Sequence, residues 1–409
     1  MSKHIQQLKT AFQTNAKQKL TAVIFVLITF SVLIGMFFYV PEIGEEFLTT
    51  YRTNVLPGTP VFERLEGAID AMDTSINAGV PGRPAYIELF GLAQLTMNKK
   101  IVPDPNYGAL YKTPYGQIAY AVEERWLGFH LDHVYDLVNA LKAEQIPFLY
   151  IQAPFKLPDA HSQVPLTITD YTNNNADRFL EGLRVAGVSR FDLRPPLAAS
   201  GMSQNELFYD TDHHWTIDAA FFSTGQIAKK LNADYGFHID DFYYDINNYN
   251  RTTYRDFYIG SLGRRVGRIY GGIDDFSLIT PNFETYFSLT QDGRDLPSGS
   301  FEDAILVKEY LDERAPLDTN RYAVYHGDNA ELVFTNHFID EGKVLLIKDS
   351  FGIPVYSFLA LGVHEVRAID VRLFPEDVAA YAAKYKPDIV ILMYNADCFS
   401  NQMFNFTEK

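Results

Sequence analysis

The run Tyr209-Asp210-Thr211-Asp212-His213-His214-Trp215-Thr216 places two carboxylates and two imidazoles within five consecutive positions. A carboxylate beside a histidine is the pairing that base catalysis uses. The acid orients the ring, and the ring takes a proton from a nucleophile. The same groups are also metal-ligand types, since imidazole with carboxylate suits zinc or manganese. The bland alternative is a solvated turn capping a helix, because Asp and Thr cap well. Two pairings are available, Asp210 with His213 and Asp212 with His214. A nucleophile is offered by Lys348-Asp349-Ser350-Phe351-Gly352. An apolar run ends at Ile347, and Pro354 suits the first turn of a helix. Ser350 is therefore expected on a tight strand-to-helix turn whose N–H groups can receive an oxyanion. Asp-Ser alone is an ordinary turn pair. Its weight comes from the acid and histidine supplied by the other segment.

Regular elements must bring the two segments together. Thr216 is a good N-cap, and Ile217, Ala220, Phe221, Thr224, Ile227 and Leu231 recur at helical spacing. The pattern predicts helices at 61–78, 117–143, 176–185, 217–232, 354–361 and 375–385. It predicts strands at 147–151, 188–193, 344–347, 365–371 and 388–393. Residues 85–116 give no clear pattern. Residues 233–340 are rich in Tyr, Phe, Asp, Asn and Gly and read as an insertion of short strands, with 304–307 and 331–334 among them. Strands alternating with helices imply a parallel sheet covered on both faces. In such sheets chemistry gathers at the carboxyl ends of the strands.

The chain has 409 residues, of which 47% are hydrophobic, enough for a sizeable core. A formal net charge of −16 argues against a nucleic-acid partner, which needs basic surface. One cysteine, Cys398, excludes an internal disulfide and a multi-cysteine zinc site. Residues 20–40 carry no charge and match the thickness of a bilayer. Lys3, Lys9, Lys17 and Lys19 precede them, and Glu42, Glu45 and Glu46 follow. That asymmetry predicts one uncleaved anchor, a cytoplasmic N-terminus and an extracytoplasmic body. The expected layout is a cytoplasmic segment at 1–19, the span at 20–40, a stalk or linker helix at 41–80 and the body at 81–409.

The Asp-His-His-Trp run, with a serine block downstream of it, resembles the DHHW proteins, relatives of the alginate O-acetyltransferases. Ile151-Gln152-Ala153-Pro154-Phe155-Lys156, Phe191-Asp192-Leu193-Arg194-Pro195, and Gly260-Ser261-Leu262-Gly263-Arg264-Arg265-Val266-Gly267 with Asp274-Asp275-Phe276 fit the same resemblance. It covers roughly residues 80–400. The resemblance implies a three-layer α/β/α domain like that of SGNH hydrolases, with an acid-histidine pair upstream of the serine. It implies Asp212 as orienting acid, His214 as base and Ser350 as nucleophile, with His213 beside them or on substrate. Relatives also use Arg and Tyr in the pocket, which points to Arg372 and Tyr394, and an oxyanion Asn, which points to Asn395. Tyr356, one helical turn past Ser350, is a lesser candidate. Lys348 departs from the pattern, since the serine block of the family usually begins with Gly.

The implied function is O-acylation, with acetyl the expected group, or ester hydrolysis on a cell-surface or exported polysaccharide. No cofactor or metal is implied. Because acetyl-coenzyme A is cytosolic, an extracytoplasmic transferase needs a multi-pass membrane acyltransferase as acyl donor, whereas a hydrolase needs none. Two other classes are a metal-dependent phosphoesterase using Asp210, Asp212, His213 and His214, and a non-catalytic glycan-binding or assembly protein.

Overall fold

A computed structural model describes residues 18–55, 61–156 and 165–408, positions 28, 32, 36, 79, 81 and 166 excepted. The chain divides into two units, Met1–Leu89 and Phe90–Lys409. In the first, Gln18–Gly35 is a helix long and apolar enough to cross a membrane by length and composition. Lys3, Lys9 and Lys17 of the basic flank lie outside the described residues. Within the expected stalk or linker helix at 41–80, Val40–Asn54 is helical. Pro41 sits in the first turn, where a missing N–H costs nothing, and no second proline follows until Pro57. A further helix, Val61–Ala78, agrees with the sequence pattern and packs beside Val40–Asn54.

The second unit is built on an eight-stranded sheet. Its strands are β4 (Phe148–Gln152), β5 (Arg190–Asp192), β8 (Phe287–Gln291), β9 (Arg294–Gly299), β10 (Glu331–Asn336), β11 (Lys343–Lys348), β12 (Glu365–Ile369) and β13 (Ile389–Tyr394). The order is β5-β4-β13-β11-β12-β10-β8-β9. The first five are parallel, and β10, β8 and β9 continue the sheet antiparallel. The expected parallel sheet is thus a mixed one, extended from within residues 233–340. An Asp292-Gly293 turn, both residues at positive φ, folds β8 back on β9 as tight hairpins require. β9 carries Pro297 on the open edge of the sheet.

Central strands β4, β11 and β13 are buried nearly throughout, as their unbroken apolar runs demand. Alternation then sorts the core. Val344, Leu346, Ile391 and Met393 pack on one face with helices α3 (Ile217–Tyr235) and α4 (Gly352–Leu359). Leu345, Ile347, Val390 and Leu392 pack on the other with α1 (Gly128–Ala143), α2 (Thr172–Val185) and α5 (Val378–Tyr385). The result is the three-layer α/β/α arrangement that the sequence implied.

Two local expectations fail. Residues 117–127 are not helical. Ile118–Tyr120 forms strand β3 of a small antiparallel sheet with β1 (Ile101–Asp104) and β2 (Gly108–Lys112). Its Ile118 N–H is drawn to Asp210 O, a tertiary contact invisible to periodicity. Ala304-Ile305 belongs to a helical turn, Phe301–Ile305, because Ser300 caps it and Glu302 and Asp303 favour its N-terminus. The remaining strands, β6 (Tyr249–Tyr258) and β7 (Asp274–Pro281), pair with each other beside the site.

Candidate active site

Residues 209–214 form a loop closed at its neck. Phe208 and Trp215 make an antiparallel bridge, and Thr216 N–H donates to Leu207 O at 2.9 Å. Thr216 Oγ1 accepts from Ala219 N–H and starts α3. Trp215 is fully buried, with Nε1 donating to Tyr322 Oη at 2.9 Å. The neck is therefore anchored in the core, and the acid and histidines stand on its rim.

The opposite rim is the end of β11. Asp349 Oδ1 accepts from Phe351 N–H at 2.9 Å, while Oδ2 accepts from Asn395 N–H at 2.6 Å and Nδ2 at 2.9 Å. Gly352 is needed where the turn passes Lys348, since a Cβ there would lie 2.6 Å from Lys348 Cβ. These constraints hold Ser350 beside the first loop. Its Oγ lies 2.7 Å from His214 Nε2. The Ser350 N–H has no acceptor among the described residues.

His214 is buried and stacks on Tyr322, ring centroids 4.1 Å apart. Its Nδ1 lies 3.3 Å from Asp212 Oδ2, a long and poorly aligned contact. That oxygen also accepts from Tyr258 Oη, at the end of β6. Asp212 Oδ1 accepts from His213 N–H at 2.7 Å and Ser261 Oγ at 2.8 Å. Burial alone would raise the Asp212 carboxyl, but the charges and ring N–H groups of His214 and His213 together hold it well below the usual range. Burial, aided by the His213 charge, lowers His214 below the ordinary histidine value against the pull of Asp212.

Of the two acid-histidine pairings in the sequence, Asp212 and His214 are brought to Ser350. Asp210 turns away, its Oδ1 accepting from Asn205 Nδ2 at 2.8 Å. His213 sits beside the pair, with Nδ1 on Ser261 Oγ at 2.8 Å. Arg372 forks onto Asp370 and reaches Asp328 Oδ2 at 3.3 Å. Asn395 supports Asp349, as above. Tyr394 is placed elsewhere, its hydroxyl donating to Met403 O at 2.6 Å within the second core face. Tyr356 is buried against Phe334, with its hydroxyl on Gly327 O at 2.7 Å. Neither tyrosine is brought to the serine through its hydroxyl.

Asp212, His213 and His214 offer ligand atoms within 4.8 Å of one another, a spacing that a metal ion could use. Asp210 is not in that group. Both Asp212 oxygens accept N–H and O–H donors from the protein.

Sequence reasoning missed Tyr258, Ser261, Tyr322, Lys348 with Asp328, and the supporting role of Asp274. The Gly260-Ser261-Leu262-Gly263 motif was the available signal. It packs directly on the loop: Leu262 and Gly263 N–H groups donate to Thr211 O at 3.0 and 2.7 Å. Lys348 is almost wholly buried and ion-paired with Asp328, which explains how a cation is tolerated at the start of the serine block.

Comparison with known proteins follows this geometry. Residues 121–241 match the family model described as "ALGX: SGNH hydrolase-like domain, acetyltransferase AlgX". Bacillus cereus PatB1, solved with a sulfonyl adduct, is similar with a TM-score of 0.61 and 19% identity, covering 75% of this chain and 100% of that one. A DHHW family protein from Eubacterium siraeum is similar with a TM-score of 0.56 and 15% identity, covering 76% of this chain and 98% of that one. No curated protein matches the sequence. The family match and the DHHW structure agree with the resemblance drawn from the Asp-His-His-Trp run, and the shared architecture is an SGNH-like domain.

Proposed function

We propose that the chain is a membrane-anchored, extracytoplasmic serine O-acyltransferase, with acetyl the expected group, or an esterase, acting on a cell-surface polysaccharide. The observation that carries this reading is the 2.7 Å contact between His214 Nε2 and Ser350 Oγ. The match to an acetyltransferase family model supports the acyl chemistry.

In this reading Ser350 Oγ bonds to the acyl carbonyl carbon while its proton passes to His214 Nε2. Asp212 stabilises the imidazolium that forms. The oxyanion takes a hydrogen bond from the Ser350 N–H. Collapse breaks the acyl C–O bond, and His214 returns the proton to the departing oxygen. A glycan hydroxyl, or water, then attacks the acyl-serine. Its proton goes to His214, and His214 reprotonates Ser350 Oγ as the ester breaks. Water gives hydrolysis and a glycan hydroxyl gives transfer. For transfer, a multi-pass membrane acyltransferase carries the acyl group outward.

The test is covalent. A sulfonyl fluoride or activated acyl ester should add mass at Ser350 by peptide mass spectrometry, and Ser350→Ala should abolish the adduct while leaving the melting temperature nearly unchanged. An adduct that persists in Ser350→Ala defeats the assignment.

A further inference from the structure

Behind the catalytic loop lie two buried ions that the proposed mechanism does not use. Lys156 is fully buried after β4, and Asp274 is buried at the start of β7. Asp274 accepts from Asp210 N–H at 2.6 Å, Thr211 N–H at 2.9 Å and Thr211 Oγ1 at 2.5 Å. Lys156 Nζ donates to Asp210 O at 3.2 Å and Ile118 O at 2.6 Å. The Asp210 carbonyl and the Thr211 N–H belong to one peptide unit. That unit is thus gripped at both ends, a carboxylate on its N–H and an ammonium on its carbonyl. Each charge matches the local sign of the peptide dipole. Rotating the peptide would set like signs against each other in a site of low dielectric.

We infer that Lys156 and Asp274 are positioning residues that lock the 210–211 peptide and so aim Asp212 and His214 at Ser350. The inference rests on the acyl-transfer reading above. Asp212 is the next residue after the gripped unit, and its side chain has little other freedom. Tyr258, the register partner of Asp274 across β6 and β7, holds Asp212 Oδ2. One end of one hairpin therefore fixes both the backbone and the carboxylate. Thr211 Oγ1 passes the grip on, accepting from Gly260 N–H at 2.7 Å.

Stability alone is a poor explanation of this pair. Burial raises Asp274 to about 6 and lowers Lys156 to about 8, so both charges are held at a cost. Buried ion pairs are often no better for stability than apolar replacements. The groups facing Lys156 are the Ile118 carbonyl of β3, Asp210 and Asp212 of the loop, and Asp274 of β7. All favour its charged form, and loss of its proton removes the positive charge from the carbonyl end of the grip.

The test uses full-length protein in detergent, with Ser350 labelling by phenylmethylsulfonyl fluoride and hydrolysis of p-nitrophenyl acetate as readouts. Lys156→Met and Asp274→Asn should each slow labelling and lower kcat by roughly tenfold to a hundredfold, with KM little changed, as expected for misaimed groups. The wild-type rate should decline above about pH 8. That decline should vanish in Lys156→Met, a change that mere loss of packing does not produce. If either variant fails to fold, isosteric Thr211→Val removes the hydroxyl's bond to Asp274 and its bond from Gly260 N–H, and should lower kcat in the same sense. Folded variants with wild-type labelling rates and an unchanged alkaline limb overturn the inference alone. A wild-type Ser350 that takes no label overturns the acyl-transfer reading, and this inference with it.

Discussion

Asp212 accepts from a backbone N–H, a serine and a tyrosine in addition to facing both histidines. Such saturation keeps it ionised, so its contribution to His214 is charge and orientation. Asp212→Asn is expected to fold and to lose activity by about a thousandfold, because the ring loses its orienting charge. Equal loss in Asp210→Asn with full activity in Asp212→Asn would reverse the assignment. The burial of His214 sets the pH dependence. The neutral ring is the active form and its value is depressed, so the rate should climb along a limb centred below pH 6.5 and stay level until Lys156 loses its proton near pH 8. Between that midpoint and 6.5 the unfolded chain binds the extra proton, so stability should fall as pH drops through the same window. Urea denaturation at stepped pH measures this. Lys348 is the residue with the sharpest local consequence. It neutralises Asp328, whose charge acts on His214. Lys348→Met should cost on the order of 2 kcal/mol, since one partner of a largely buried pair is removed. It should also move the His214 limb upward, because Asp328, left with only Arg372 at 3.3 Å among the described residues, favours the imidazolium more strongly. An unmoved limb in a folded variant would show that Asp328 does not act on the base.

At the level of elements, the site depends on close passage between the loop at 209–214 and the segment after β6. A Cβ on Gly260 would lie 2.2 Å from Asp212 Cβ. Gly260→Ala must push the acid aside and is expected to cost about 1–3 kcal/mol in stability. Activity should fall by at least tenfold, in line with a small misplacement of a catalytic group. Thermal melts and ester hydrolysis would measure the two effects separately. This contact also shows where the sequence was legible. The strands β4, β11 and β13 and the helix α3 could be read because apolar periodicity and the Thr216 cap are local signals. The carboxyl ends of those strands then indicated where Ser350 and the histidines should meet. Strand 331–334 was legible and is β10, but β8, β9, their antiparallel pairing, the β3 strand and the Gly260 to Gly263 support were not readable in the same way. Their reasons are partners far along the chain, such as Asp210 O for Ile118 N–H and Thr211 O for Gly263 N–H. Tyr394 and Tyr356 looked plausible at strand and helix ends, but alternation turns Tyr394 to the opposite face, and Tyr356 packs inward on Phe334.

For the whole molecule, the apolar helix Gln18–Gly35 fits a single-pass anchor. The proposed orientation follows from lysines before it and glutamates after it. Protease added to intact cells should then remove the body, and protection of residues beyond 60 would reverse the topology. An anchor confines copies of the chain to a plane, where local concentration is high. Sheet ends matter under such crowding, because an open edge with free N–H and carbonyl groups is a template for strand addition by a neighbour. Here one end of the sheet is β5, only three residues long. The other is β9, where Pro297 lacks an N–H and Arg294 and Asp295 carry charge. The antiparallel extension that gives this enzyme-like sheet its extra width therefore also finishes it with an edge that resists growth into its neighbours.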